Sequence, residues 1–428
     1  MIEPMLGSSS VGAAAPIIGP SLDLLDVGSR TGSPSRSLKV MIVMPLAEQR
    51  GGAELTLLHL IDYGRGLGIE WIVAYLSDGP MVDIVRGLGV RAEVIPSGRL
   101  RQPHRMAIAI WRLKCLMRRE GVGLVLSWMG KGQLYGGTAA AWAGKSAIWF
   151  QHGLPDPPCW QDRLATALPS VGVLTCSRTT ARAQSFLWPH RPTHVAYPGV
   201  DLTRFDPEQL PTPAECRRKL GLPAHGPLIG IVGRLQRWKG LHHLVDAMPA
   251  ILEKHPDSHA VIVGGDHALE PDYPAFLKAR IRELNLTDRI ILTGLQHNVP
   301  EWMKTMDVVV HASENEPFGI VVIEAMALGK PVAATDTAGP AEIITDGING
   351  LLWPARRPAA LVSAVIRYLG SPPWASTVGS AARIRAADFS AAAFARNVVA
   401  NCHCLTQSNE VNGGARVTLH SRDHAVLK

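Results

Sequence analysis

Two glutamates eight positions apart, Glu316 and Glu324, mark a stretch that is otherwise almost without charge. Glu324 is the only charged residue between Ile320 and Leu328, and its helical neighbours three and four positions away are all apolar. A buried carboxylate is costly unless something donates hydrogen bonds to it. Glu316 lies in the loop entering the same predicted helix, whose first N–H groups favour an anion. Carboxylates suit sugar hydroxyls and a helix N-terminus suits phosphate, so the combination suits a sugar nucleotide.

The helix that carries Glu324 is predicted to run from Pro317 to Leu328. Proline fits the first helical position because an N–H there has no partner within the helix, and Gly329 is a typical stop. An ordinary buried helix, with its glutamate paired to a structural partner, would show the same pattern. The residues alone leave both interpretations open.

Two cations, Arg234 and Lys239, occupy a loop predicted between a strand and a helix. Cations placed five residues apart at a helix start can hold both phosphates of a nucleoside diphosphate. Fixed cations there would also stabilise the negative charge that develops as the diphosphate departs. A solvated basic loop is the alternative.

The stretch from Glu316 to Val332 reads E-P-F-G-I-x-x-x-E-A-M-A-x-G-x-P-V. It resembles the donor-site signature of the retaining glycosyltransferases of family 4 (group 1), which have the GT-B fold. The resemblance covers about residues 38–390 and is strongest in the second half. The donor-binding residues that it implies are Gly51, Gly52, Arg234, Lys239, Glu316, Phe318, Gly319, Ile320 and Glu324.

The resemblance also implies which residues take part in the reaction. Arg234 and Lys239 would neutralise the departing diphosphate in place of a divalent metal, so neither a metal site nor another cofactor is expected. His152 matches the family histidine beside the reacting face of the donor sugar, although Gly153 stands where many relatives have an acid. A lone histidine after a strand is more often structural. The implied catalytic residues are Arg234, Lys239, Glu316 and His152.

Short apolar runs alternate with amphipathic stretches along most of the chain, a pattern that predicts an α/β fold with parallel, doubly wound sheets. The predicted strands are 38–45, 71–76, 92–96, 124–128, 147–152, 173–176, 194–197, 228–232, 260–263, 290–292, 308–311, 331–334 and 351–353. Gly51 and Gly52 form a predicted turn after the first strand. A glycine turn before a helix can bind phosphate, but it can equally be a turn with no ligand.

The GT-B resemblance implies two facing Rossmann-like domains with an interdomain cleft. The predicted divisions are a disordered tail at 1–37, an N-terminal acceptor-side domain at 38–206, a C-terminal nucleotide-sugar-binding domain at 207–388, a helix crossing back at 389–404 and a polar tail at 405–428.

Composition describes a globular protein with an anionic partner. The 428 residues are 46% hydrophobic, and the net charge is +7. The resemblance narrows the partners to a nucleotide-sugar donor and a glycan or lipid-linked glycan acceptor, without nucleic acid. Six scattered cysteines suggest reduced thiols in a cytoplasmic protein, and no apolar run reaches the length of a spanning helix.

A helix predicted at 104–119 has two distinct faces. An apolar stripe of Met106, Ile110, Leu113 and Met117 should pack on the sheet. The other face carries Ile108, Trp111, Arg105, Arg112, Lys114, Arg118 and Arg119. Basic residues around an interfacial tryptophan suit an anionic membrane surface, which would hold the protein peripherally on its cytoplasmic face. A solvated helix face is the alternative.

The resemblance, together with these residues, implies a metal-independent enzyme that moves a sugar from a nucleoside diphosphate to a glycan or lipid-linked acceptor with retention. Such enzymes serve polysaccharide and lipopolysaccharide biosynthesis. A sugar-nucleotide epimerase or hydrolase on the same fold, and a non-catalytic sugar-nucleotide-binding protein, remain as alternatives. Acceptor-dependent release of the nucleoside diphosphate would distinguish the transferase from both.

Overall fold

The computed structural model describes residues 37–49, 51–98, 101–355 and 357–420, with side chains as far as residue 407. The tail predicted at 1–37 lies outside these residues except for Ser37. The described part contains a seven-stranded and a six-stranded sheet, and every pairing within them is parallel. We call residues 38–195 the first lobe and residues 213–389 the second lobe.

The first lobe is built on a sheet with strand order β3-β2-β1-β4-β5-β6-β7. Its elements are β1 Leu38–Met44, α1 Gly52–Tyr63, β2 Ile69–Tyr75, α2 Pro80–Gly87, β3 Arg91–Val94, α3 Pro103–Glu120, β4 Leu124–Trp128, α4 Met129–Ala143, β5 Ser146–Gln151, α5 Trp160–Ala167, β6 Gly172–Thr175, α6 Arg178–Ser185 and β7 Thr193–Val195. Alternate residues of β1 pack into separate cores: Val40 and Ile42 on one face, Met41 and Val43 on the other. Helices cover both faces, as a buried parallel sheet requires.

The second lobe repeats the arrangement, with strand order β10-β9-β8-β11-β12-β13. Its elements are α7 Pro213–Lys219, β8 Leu228–Val232, α8 Leu241–Lys254, β9 His259–Val263, α9 Tyr273–Glu283, β10 Ile290–Leu292, α10 Val299–Thr305, β11 Val308–His311, α11 Ile320–Ala327, β12 Val332–Thr335, α12 Ala338–Ile343, β13 Leu351–Trp353, α13 Pro358–Gly370 and α14 Pro372–Ala386. The boundary predicted at 206/207 falls between the last strand of the first sheet and the first strand of the second.

Every predicted strand is present, within two residues of its predicted bounds. Helices α5 and α7 are short, and each follows a proline-containing segment. The chain turns helical at α7 because Thr212 and Glu215 form a capping box at its start. The prediction that α11 begins at Pro317 is wrong: Gly319 has a φ of 106°, which is incompatible with a helix, so α11 begins at Ile320.

The last helix, α15 Ala391–His420, carries the chain from the second lobe back to the first. Its side chains Phe394, Val398 and Cys402 belong to the core of the first lobe. The helix continues past residue 404, so residues 405–420, expected in a polar tail, are helical here. Within the residues that the structure describes, no helix is both long and apolar enough to cross a membrane.

Glu342 joins the two lobes. It lies on α12 in the second lobe, and its carboxylate accepts hydrogen bonds from the backbone N–H groups of Arg178 at 2.9 Å and Thr179 at 2.7 Å. These are orphan donors of the first turn of α6, which a helix cannot satisfy itself. The hydroxyl of Tyr197 also donates to Glu342, at 3.0 Å. A second-lobe side chain therefore completes a first-lobe helix.

Gly199 lies where α15 leaves the second lobe. A Cβ atom there would be 2.5 Å from the backbone of Ala391, closer than real Cβ contacts. Gly199→Ala should therefore destabilise the protein by about 1–3 kcal/mol through overpacking, and thermal denaturation should show a lower Tm. Gly130→Ala is the control, since a Cβ there meets nothing within 4 Å. Equal Tm values for the two variants would contradict this prediction.

Candidate active site

The candidate site lies at the switch point of the second sheet. The chain leaves the adjacent strands β8 and β11 toward opposite edges of the sheet, and ligands of such folds bind at the carboxyl ends of these strands. The loop after β8 carries Arg234 and Lys239, and the loop after β11 carries Glu316. The loops touch at Gly240, where a Cβ would be 2.2 Å from the carbonyl oxygen of Ala312. The absence of a side chain there allows the two loops to come together.

Lys239 and Glu316 form an ion pair between these loops. The Nζ of Lys239 donates to Oε2 of Glu316 at 2.5 Å, and the same oxygen is 3.3 Å from Nε2 of His311. Both side chains of the ion pair are largely buried, at 18% and 12% exposed. Burial alone would raise the pKa of Glu316, but the charge of Lys239 and the hydrogen bond of His311 outweigh it and hold that pKa well below its usual range. Glu316 is therefore ionised at neutral pH.

Glu324 has the opposite environment. It is 7% exposed, and no group among the described residues donates a hydrogen bond to its carboxyl. Burial raises the pKa of Glu324 to about 8, and the charge of Arg204 only partly offsets this rise. The carboxyl is therefore mostly protonated at pH 7. A ligand that donates hydrogen bonds to it would favour the ionised form.

Three predicted donor-binding residues, Phe318, Gly319 and Ile320, lie at the start of α11 and differ in what they can offer a ligand. The side chain of Phe318 is 3% exposed, and its ring lies 5.8 Å from Tyr197 and 5.7 Å from Phe389. It faces the core, so only its backbone is available to a ligand. Gly319 precedes the helix, and Ile320 is its first residue. The first amides of α11 have no acceptor within the helix and can bind an anion.

The Gly51–Gly52 turn brings the first lobe to this site. A Cβ on Gly52 would be 2.8 Å from Cδ1 of Ile320, and a Cβ on Gly51 would be 3.5 Å from Cζ of Arg234. Nη1 of Arg234 is 3.4 Å from Nε2 of His267, in the second lobe. The glycine turn therefore faces both a cation and the start of α11 across the cleft.

His152 lies behind this turn. Its ring stacks on Phe150 at 4.1 Å and lies 4.6 Å from Trp128, whose indole Nε1 donates to the carbonyl of Ala53 at 3.0 Å. Burial lowers the pKa of His152 to about 3, so the imidazole is neutral. Its Nε2 is buried and has no hydrogen-bond partner among the described residues. No hydrogen bond joins its ring to Arg234, Lys239 or Glu316.

Two residues of this region were not predicted from the sequence. His311 ends β11, and a histidine at the carboxyl end of a strand next to a switch point could have been singled out. Glu342 gave no such signal, because its partners are more than 140 residues away in the chain. Among the described residues, no group of three or more His, Cys, Asp or Glu side chains could share a metal ion.

Two family models match the chain. The model described as "Glycosyl transferases group 1" matches residues 214–385, and the model "Glycosyltransferase Family 4" matches residues 50–204. The D-inositol 3-phosphate glycosyltransferase of Frankia alni is 35% identical over 48% of this chain and 51% of its own length. The lipopolysaccharide core biosynthesis mannosyltransferase LpsB of Rhizobium meliloti is 32% identical over 50% of this chain and 59% of its own. The chain thus spans little more than half of these relatives.

Solved structures match over a greater length. Anabaena Alr3699/HepE, solved in complex with UDP-glucose, has a TM-score of 0.76 and 25% identity, covering 86% of this chain and 99% of that one. A glycosyltransferase from Rickettsia africae has a TM-score of 0.76 at 21% identity, covering 87% and 99%. This second likeness shows the fold alone.

The two family models together match most of the described chain, and they divide it where the two sheets divide it. The fold is GT-B, with two Rossmann-like lobes whose loops meet at the Gly51–Gly52 turn. These matches over residues 50–204 and 214–385 show that the chain belongs to the group 1, family 4 glycosyltransferases.

Proposed function

We propose that the protein transfers a hexose from a nucleoside diphosphate to a glycan or lipid-linked glycan acceptor, with retention and without a divalent metal. The observation that carries the proposal is the meeting of Arg234, the Lys239–Glu316 pair and the start of α11 near the Gly51–Gly52 turn. A diphosphate at this point would have two cations and the free amides of α11 around it. In the same proposal, Glu316 binds the donor sugar and Glu324 the ribose.

The relatives support the donor more strongly than the acceptor. HepE was solved with UDP-glucose, which supports a uridine diphosphate hexose as the donor of this protein. The name of one relative refers to D-inositol 3-phosphate and that of the other to lipopolysaccharide core biosynthesis, so the two names do not indicate one acceptor. LpsB favours a role in lipopolysaccharide or polysaccharide synthesis, which we include in the proposal.

Retention without a covalent enzyme intermediate requires the acceptor oxygen to bond to the anomeric carbon from the side on which the diphosphate leaves. In the proposed step the bond from the anomeric carbon to the phosphate oxygen breaks, and that oxygen receives the acceptor's proton. Arg234 and Lys239 stabilise the charge on the departing group. A protein base is not required: the low pKa of Glu316 makes it a poor base, and the Nε2 of neutral His152 is buried, so we do not assign it the role of a base.

Replacement of either cation tests this role. Arg234→Ala and Lys239→Ala should each lower turnover by about 10²-fold or more, because each removes a charge that stabilises the leaving group. Arg237→Ala is the matched control: Arg237 lies in the same loop but pairs with Asp272, so its variant should retain wild-type turnover. The measurement is acceptor-dependent release of UDP from UDP-glucose. Activity should also survive a chelator, and chelator inhibition reversed by manganese would contradict metal independence.

The raised pKa of Glu324 predicts that donor binding releases a proton. Hydroxyl donors from a ribose favour the ionised carboxylate, so UDP affinity should rise with pH up to about 8 and level off above it. Calorimetry in two buffers of different ionisation enthalpy measures the released protons. Glu324→Gln should remove this component, and at pH 8.5 it should weaken UDP binding by about 1.5–3 kcal/mol. Equal proton release by both proteins would exclude Glu324 as its source.

The outer face of α3 supports the second part of the proposal, an anionic membrane surface as partner. Trp111 and Trp142 are each 53% exposed, and Nζ of Lys114 lies 3.8 Å from the Trp142 ring centroid. Ile108 is also exposed. Arg119 no longer belongs to this basic face, since it pairs with acids at the end of the helix. We therefore define the α3 patch as Ile108, Trp111, Arg112, Lys114, Arg118 and Trp142, and propose a peripheral position on the cytoplasmic face of a membrane.

Vesicle co-sedimentation tests the α3 patch. The protein should bind vesicles containing phosphatidylglycerol more strongly than phosphatidylcholine vesicles, and salt should weaken the binding. Combined reversal of Arg112, Lys114 and Arg118 to Glu should remove it, given about 1 kcal/mol per basic residue near the surface. The control reverses Lys254, Lys278 and Arg282, exposed residues of the second lobe, and changes the net charge equally. If both variants lost vesicle binding equally, the net charge of the protein, and not the α3 patch, would explain the binding.

A further inference from the structure

A cavity of about 730 Å³ in the first lobe is separate from the donor-binding groups described above. One wall is the loop that follows β5, including Leu154, and another is α6, including Thr179. Leu154 is two residues beyond His152, so their Cα atoms are at most about 7 Å apart. The hydroxyl and N–H of Thr179 both donate to Glu342 of the second lobe at 2.7 Å. The cavity therefore adjoins the cleft on its first-lobe side.

Two arginines line this cavity without partners of their own. Arg163 and Arg182 are exposed, and neither guanidinium forms an ion pair or hydrogen bond with any described residue. Other arginines of the same lobe, such as Arg65 and Arg91, pair with nearby acids. One acid, Asp156, also lines the cavity, so the cations outnumber it. A guanidinium fork matches the oxygens of a phosphate group, and two such forks favour a phosphate over a neutral ligand.

Large apolar side chains border the arginines. Phe186 and Trp188 line the cavity and are 76% and 77% exposed. Trp160 and Leu164, at 60% and 45% exposed, lie within one turn of Arg163 on α5. Exposed apolar groups clustered beside polar ones mark binding surfaces more often than chance positions do. Their size and flatness suit an apolar chain or a flat ring.

We propose that this cavity binds the acceptor through a phosphate group attached to an apolar chain. Arg163 and Arg182 contact the phosphate, and Phe186 and Trp188 contact the chain. This assignment rests on the proposed function, since it places a lipid-phosphate-linked acceptor beside the donor. It is independent of the α3 patch, which lies on other helices.

The probe is farnesyl diphosphate, which carries both features in one soluble molecule. Calorimetric titration uses the full chain saturated with UDP, so that the donor phosphate site is filled. The wild type should bind farnesyl diphosphate, whereas farnesol, without phosphate, and glucose 6-phosphate, without a chain, should each bind at least tenfold more weakly. Arg163→Gln combined with Arg182→Gln should weaken farnesyl diphosphate binding about tenfold or more. Phe186→Ala combined with Trp188→Ala should do the same.

Arg282→Gln is the control, an exposed second-lobe arginine whose loss should leave binding unchanged. All four cavity side chains are exposed, so unchanged Tm values should show that the variants fold. Binding that is insensitive to the arginine pair overturns the proposal, as does equal binding of farnesol or tighter binding of glucose 6-phosphate. UDP binding is measured on the same samples, and its absence would contradict the proposed donor site. The proposal for the cavity is decided separately, by comparing farnesyl diphosphate binding of the wild type with that of the double arginine variant.

Discussion

The buried ion pair between Lys239 and Glu316 is the interaction on which the rest of the site depends. Each side chain comes from a different loop at the switch point of the second sheet, and each would be costly to bury alone. Contact between the loops allows the charges to meet, and Gly240 makes that contact possible. The pair thereby fixes the ammonium group of Lys239 beside the loop that leads into α11. The ion pair matters because it positions the two charged groups, since a buried pair contributes little net stability.

Two glutamates of one motif thus have opposite protonation states. Glu316 meets a cation and stays ionised, whereas Glu324 is buried without a hydrogen-bond donor among the described residues and stays mostly neutral at pH 7. The neutral form is the cheaper way to keep an unpartnered carboxyl buried. The Glu316 carboxylate keeps its charge through the pair with Lys239, whereas Glu324 would ionise once a ligand donated hydrogen bonds to it.

The sequence alone predicted the strands and the loops of the second lobe that follow β8 and β11, because short apolar runs and glycine turns are local signals. It did not show features that depend on distant contacts. The resemblance implied that Phe318 binds the donor, and the sequence could not show that its ring packs against residues far away in the chain and leaves only its backbone to a ligand. Pro317 resembled a helix start, although the glycine two residues later prevents one. The first-lobe cavity gave no local signal, because its walls meet only after folding.

The capping of α6 by Glu342 ties the two lobes together during unfolding. An isolated first lobe would expose the amides of Arg178 and Thr179, which now have a carboxylate acceptor. An isolated second lobe would leave that carboxylate without its donors. The chain also crosses back through α15, whose apolar side chains fill the first core. Division of the gene at the linker would therefore yield two fragments that each lack a structural part held by the other.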